Sequence, residues 1–280
     1  LNASKGYGIA SFPDVPVTPD TMFYGASTTK AFVAAALSLL VDDDENFPHV
    51  TWQTPITQII PDDFILEDDY STLHLTLEDA ATHRTGLPRH DFACQGGDQT
   101  VRDVVRSMRY LPLTEPLRTT FQYCNLMYIM LGHVIETLTG HWLGAFLAER
   151  IWEPLNMIST YFSLSDALKS GKPFAQGYYW LTQSQTFTGV DYIDESSMEG
   201  CGAVISSVRD YSKWIRMMID RTGPVSEVGH EALVTPRILE GKSQIPDTYV
   251  FYGYGWEIES YRGYEVITHN GVETGVSYAM

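Results

Sequence analysis

The stretch Phe23-Tyr24-Gly25-Ala26-Ser27-Thr28-Thr29-Lys30 runs directly into Ala31-Phe32-Val33-Ala34-Ala35-Ala36-Leu37-Ser38-Leu39-Leu40-Val41, and this junction decides how the chain is read. Apolar on nearly every side, Ser27 to Val41 has the character of a central helix covered by other elements. Asp42-Asp43-Asp44-Glu45 then ends it in solvent, where acid at a helix C-terminus opposes the dipole and frays the last turn. At the other end Ser27 and Lys30 stand three positions apart, so a hydroxyl and an amine share one helix face. An amine among apolar neighbours loses hydration, and the positive end of the helix dipole acts in the same direction. Both favour the neutral amine that can accept a proton from a serine. The competing reading is an N-capping Ser beside a solvated Lys.

With 280 residues and 44% hydrophobic content, the chain can bury a sizeable core. Its 35 acidic and 18 basic residues give a formal net charge of -17, which repels a phosphate backbone and an anionic membrane surface. Neither a nucleic-acid nor a membrane partner is expected; a small-molecule substrate is, and oligomeric state leaves no readable trace. No apolar run approaches the roughly 18 to 20 residues needed to span a bilayer. Cys94, Cys124 and Cys201 exclude a disulfide framework, although one bridge plus a free thiol is possible, and none has metal-ligand spacing. The sequon Asn2-Ala3-Ser4, with the acidic balance, tilts localisation towards a secreted rather than a cytoplasmic protein.

Thr76 with Asp79, Thr100 with Asp103 and Ser207 with Asp210 resemble capping boxes that open three helices, the first expected to stop near Gly86. Met127, Met130, Leu131, Val134, Ile135 and Leu138 mark another helix, ended by Gly140. Strand character lies towards the ends, in Tyr7 to Ala10, Val250 to Glu257, Tyr264 to His269 and Gly275 to Ala279. The pattern predicts an α+β fold: an antiparallel sheet from both chain ends, flanked by helices, plus a mainly helical lobe. Such a sheet is short of strands, so flanking segments are expected beyond both ends.

Two further groups carry chemistry. Tyr123-Cys124-Asn125 stands just before the Met127 helix; a phenol near a cationic Lys shares its proton more easily, and Asn125 offers an amide suited to gripping a carbonyl. Core tyrosine plus capping Asn is the alternative. His269-Asn270-Gly271 follows the strand Tyr264 to Thr268, and Gly271 would allow close backbone approach. The Val272 N–H, paired with that of Ser27, would form an oxyanion hole.

Taken in order, these residues resemble the serine β-lactamase-related hydrolases of the penicillin-recognising fold, in the class C β-lactamase, D-aminopeptidase and family VIII esterase branch. Further blocks that resemble the family are Thr82-His83-Arg84-Thr85-Gly86-Leu87-Pro88, Gly200 to Ser207 with Arg209-Asp210, and Gly253-Tyr254-Gly255-Trp256. The resemblance implies a β-lactamase/transpeptidase-like fold in one catalytic domain over 1–280, with an α/β lobe about 1–45 and 200–280 and a helical lobe about 46–199. It implies Ser27 as acylated nucleophile, Lys30 as its activator, Tyr123 as general base and proton donor to the leaving group, and Asn125 on the acyl side. His269, Gly271 and Val272 would complete the substrate site, with Ser27 and Val272 as oxyanion donors and no cofactor or metal.

A true β-lactamase carries Lys-Thr-Gly where this chain has His-Asn-Gly. A largely neutral His attracts a β-lactam carboxylate less than Lys does, which favours an ester, lactone or amide substrate. A true β-lactamase or an acyltransferase with the same site is the alternative, and a non-catalytic binding protein on this fold is the rival of another class. Without His-Glu-x-x-His the eight histidines give no zinc-hydrolase motif; His83 and His90 read as surface or hydrogen-bonding residues. Gly25-Ala26-Ser27-Thr28-Thr29 lacks the second glycine of an α/β-hydrolase elbow.

Overall fold

A computed structural model describes residues 3–94, 99–273 and 276–280. Asn2 of the sequon, the Cys94 side chain and Gly275 lie outside the described residues. Cys124 and Cys201 are buried thiols that form no disulfide with each other.

The 3-10 turn Ala26–Thr28 leads into the α-helix Thr29–Val41, and every residue from Thr29 to Leu40 is buried. Helices pack around it because it has no polar face to turn outward. Phe32 meets Trp214 at a ring separation of 4.4 Å, with Trp152 and Tyr211 edge-on at 6.0 and 5.8 Å. Each such fully buried aromatic or aliphatic side chain contributes about 1.5–3 kcal/mol relative to exposure.

Around this axis stand the helices Leu77–Ala81, Val101–Ser107, Asn125–Thr139, Leu143–Leu147, Val208–Asp220 and Glu227–Val234. Thr76 with Asp79 and Thr100 with Asp103 form reciprocal capping boxes. Ser207 caps by accepting from the Asp210 N–H, but Asp210 spends its carboxylate on Lys213, at 2.7 Å, and on Thr160 and the Ser159 N–H. The Asn125–Thr139 helix ends on Gly140 in the left-handed region at φ 70. The helix that opens at Thr76 stops at Ala81, short of Gly86, because His83 takes a left-handed backbone at φ 59 that breaks the turn.

Four strands form one antiparallel sheet in the order Tyr264–Thr268, Glu257–Tyr261, Tyr249–Tyr252 and Ile238–Lys242. The hairpin Asn270–Glu273 with Val276–Ala279 follows, and Met22–Tyr24 pairs with Ile205–Ser207. The N-terminal strand Ile9–Ser11 pairs locally with Val15–Pro16 rather than with the C-terminal strands. Its neighbour Phe12 is drawn towards the Tyr178–Leu181 and Thr186–Gly189 hairpin, stacking on Phe187 at 5.4 Å and donating its N–H to the Tyr178 hydroxyl at 2.8 Å. The apolar run Val250 to Glu257 is divided between two strands by a turn at Gly253 to Trp256. Gly255 sits there at φ 74, and a Cβ on it would lie 2.8 Å from the Lys30 carbonyl oxygen. Only glycine lets this turn press against the start of the central helix.

Two buried carboxylates tie the helical part together. Asp79, wholly buried, binds Arg84 at 2.7 Å and Arg118 at 2.8 Å beside its capping bonds. Asp63 joins the Val101–Ser107 and Asn125–Thr139 helices through Arg102, Arg106 and His133 at 2.9, 2.7 and 2.9 Å. Burial alone would raise the Asp63 carboxyl, but bonds from His133, Arg102 and Arg106 outweigh it and hold the group at about 2 against an ordinary 3.8. A carboxyl depressed by folding stabilises fully above its unfolded value and loses that contribution as pH falls through the folded one. Asp63→Asn should therefore cost on the order of 1–2 kcal/mol at pH 5, allowing for the half-exposed arginines. The gap between variant and wild type should narrow as pH falls from about 4 to 2, as measured by urea unfolding; a gap independent of pH would exclude this linkage.

Candidate active site

Strand Met22–Tyr24 delivers the chain to Gly25, whose N–H donates to the Val204 carbonyl at 2.6 Å. Ala26 then adopts φ 46, a left-handed conformation costly for a residue with a side chain. Two hydrogen bonds hold the bend: Thr28 Oγ1 donates to the Gly25 carbonyl at 2.8 Å and accepts from the Tyr211 hydroxyl at 2.6 Å. The Val204 N–H adds a third anchor by donating to Thr29 Oγ1 at 3.1 Å. The result is a half-buried Ser27 at the first helical turn, where helix geometry supplies no acceptor for its N–H.

Lys30 is wholly buried. Its Nζ donates to Ser27 Oγ at 3.1 Å and to the Cys201 carbonyl at 3.0 Å, which offsets the cost of removing the amine from water. Nζ also lies 4.8 Å from the ring centre of Tyr123 and 5.6 Å from that of Tyr128. The amine thus meets the face of Tyr123; among the described residues the Tyr123 hydroxyl is hydrogen-bonded to neither Ser27 nor Lys30. Ser27, Lys30 and Tyr123 are brought together across ninety-odd residues of intervening chain.

Asn125 is the first residue of its helix, Cys124 standing at the cap without a side-chain bond. Asn125 Nδ2 donates to Asp91 Oδ1 at 3.0 Å, and Asp91 in turn pairs with Arg89 at 2.7 Å. The Asn125 Oδ1 is buried with no hydrogen-bond partner among the described residues. Burial pushes the Cys124 thiol up to about 12, so it is no competing nucleophile.

His269 is buried and committed to the protein on both ring nitrogens. Nδ1 faces the Asn270 carbonyl at 2.7 Å and therefore carries the proton, leaving Nε2 to accept from the Tyr252 hydroxyl at 2.9 Å. Burial, joined by the charge of Lys30, drives its pKa down to about 3, against the pull of the Asn270 carbonyl. The ring is neutral, internally satisfied and shut off from solvent. Gly271, next in the chain, presses its strand onto the serine turn: a Cβ there would lie 2.1 Å from the Gly25 carbonyl oxygen. Val272 follows with an exposed side chain.

His83 and Tyr252 join this group without having been singled out as site residues. Of the surface and hydrogen-bonding roles read for it, His83 takes the second: it is wholly buried, accepts the Cys124 N–H and is ringed by Tyr123, Tyr252 and Tyr128 at 4.3, 5.0 and 5.2 Å. His90 is elsewhere, half-buried and facing the Pro112 carbonyl at 3.2 Å. The signal for His83 was its place in the Thr82 to Pro88 block. No group of three or more His, Cys, Asp or Glu side chains among the described residues could hold a metal ion.

These elements compose a β-lactamase/transpeptidase-like fold. The octameric penicillin-binding protein homologue from Pyrococcus abyssi superposes with a TM-score of 0.82 at 24% identity, covering 97% of this chain and 61% of that one. The D-amino acid amidase from Ochrobactrum anthropi gives 0.76 at 23%, covering 95% and 74%. The Beta-lactamase family model matches residues 2–280, and the chain belongs to that family. An unguisins hydrolase of Aspergillus campestris is 45% identical over 274 residues, 96% of this chain and 51% of that protein. The chain thus spans about half the length of the curated hydrolases it matches.

Proposed function

We propose that the protein is a serine hydrolase that cleaves an amide or ester bond through an acyl-enzyme on Ser27. The observation that carries this reading is the 3.1 Å contact between Ser27 Oγ and a fully buried Lys30 Nζ. Ser27 Oγ attacks the substrate carbonyl as its proton passes to the Lys30–Tyr123 pair. The Ser27 and Val272 N–H groups receive the oxyanion of the tetrahedral intermediate. Tyr123 protonates the leaving group, and water then releases the acyl chain by the reverse path. Asn125, with its open Oδ1, accepts an N–H from the acyl side of an amide substrate.

The neutral, internally bonded His269 supports an ester or amide over a β-lactam, because no cation stands at that position to meet a carboxylate. The hydrolase named among the relatives supports the same class of reaction. The test is mass spectrometry of the intact protein after a fluorophosphonate, with turnover of the p-nitrophenyl esters and p-nitroanilides of D- and L-alanine. An adduct on Ser27 and release of chromophore are expected; no adduct and no turnover would sink the proposal.

Lys30→Ala and Tyr123→Phe should each lower kcat by roughly 10²-fold or more, as befits groups that move a proton in the rate-limiting step. Wild-type rates in Tyr123→Phe would remove it from the proton path.

A further inference from the structure

His83 holds the segment that carries Tyr123 at three points. Its backbone carbonyl accepts the Gln122 N–H at 2.8 Å, and its Nδ1 accepts the Cys124 N–H at 3.1 Å. Between those two bonds its ring lies 4.3 Å from the ring of Tyr123, at an interplanar angle of 34°. The residues on either side of Tyr123, and Tyr123 itself, are therefore gripped by one histidine forty positions earlier in the chain.

That grip is maintained against two local costs. His83 occupies the left-handed region at φ 59, which strains a residue with a side chain. Because Nδ1 accepts, Nε2 carries the hydrogen, and that donor is buried without a partner among the described residues. A phenylalanine would fill the same aromatic box of Tyr123, Tyr128, Tyr252 and Phe121 without the orphaned donor. It would lack the acceptor for Cys124 and histidine's better tolerance of the left-handed backbone. Filling space therefore does not account for a histidine here; the acceptor aimed at the neighbour of Tyr123 does.

We propose that His83 is a positioning residue that fixes the Tyr123 phenol for proton transfer to the leaving group, an inference that rests on the hydrolase reading above. It touches neither Ser27 nor Lys30, and Lys30 Nζ, 3.1 Å from Ser27 Oγ, can take the proton released on attack and return it on deacylation whether or not the phenol is in place. Its loss should therefore be felt where the leaving group needs a proton and little where it does not. An anilide leaves only when protonated, whereas p-nitrophenolate leaves as the anion.

The test compares His83→Phe and His83→Asn in the full-length protein on the p-nitroanilide and the p-nitrophenyl ester of the same acyl group. His83→Phe should lower kcat on the anilide by roughly 10²-fold and on the ester by about threefold or less. Added to Tyr123→Phe it should cause no further loss, as expected for two residues acting as one unit. His83→Asn tolerates the left-handed backbone and keeps an oxygen acceptor for Cys124, and should stay within about tenfold of wild type. Equal losses on both substrates, or multiplied losses in the double variant, would overturn the assignment. A crystal structure of His83→Phe gives a readout independent of activity: a displaced Tyr123 ring is expected, and an unmoved one overturns the clamp. Fluorophosphonate labelling of the wild type separates the two ideas, since an unlabelled Ser27 overturns the hydrolase and leaves the clamp to the crystal structure.

Discussion

Ser27→Ala is expected to leave a folded protein whose turnover has fallen by roughly 10⁴-fold or more. The size of the loss follows from the role: without Oγ no acyl-enzyme forms, and the remaining groups can only polarise a carbonyl for water. That the fold should survive follows from the contacts. The Ser27 side chain is half-buried and, among the described residues, its hydroxyl is hydrogen-bonded to Lys30 alone, which keeps its bond to the Cys201 carbonyl and its two aromatic faces. The bend that presents Ser27 is held by Thr28, Thr29, Tyr211 and Val204, none of which touches the hydroxyl. Melting should shift by no more than about 2–4 °C, within the range set by about 1 kcal/mol in a chain of this size. Chromophore release and differential scanning calorimetry on the same preparation check both halves. Retained turnover would move the nucleophile elsewhere; lost turnover with a collapsed melting temperature would say nothing specific about Oγ.

The parts of this site that could be read from sequence are those set by local geometry. Three-residue spacing on a helix is enough to bring Ser27 and Lys30 together, and the capping pairs at Thr76 and Thr100 announce themselves in four residues each. Where the structure departs from the reading, the cause is non-local. The Thr76 helix stops early because His83 turns left-handed to enter an aromatic box completed by Tyr252, more than 160 residues away. His269 reads as a cleft residue from its place at a strand end. Its ring nitrogens are instead spent on Tyr252 and on the carbonyl of the next residue, Asn270, contacts no spacing rule reveals. Likewise the strand character of Tyr7 to Ala10 does not tell its partner, which is the nearby Val15–Pro16, while the adjoining Phe12 packs on Tyr178 and Phe187.

Gly271→Ala should lower kcat by about 10²- to 10³-fold with a smaller change in KM, the cost of losing one oxyanion donor. The added Cβ would sit 2.1 Å from the Gly25 carbonyl oxygen, and neither partner is a flexible side chain that could swing aside. Relief requires the Asn270–Glu273 strand to retreat from the serine turn by about 1 Å or more, and a displacement of that size already costs on the order of 10²-fold in an oriented site. The same retreat takes the Val272 N–H away from the position the oxyanion would occupy, since Val272 is the next residue on that strand. Ground-state binding through Asn125 belongs to another element and should be largely spared, which is why kcat rather than KM carries the loss. Gly241→Ala is the control: it lies in a strand of the main sheet with nothing within 4 Å of the new methyl, and its kinetics should match wild type. A Gly271→Ala enzyme within about threefold of wild-type kcat would mean that this strand supplies no oxyanion donor. The hole would then have to be built from the Ser27 N–H and a group on another element.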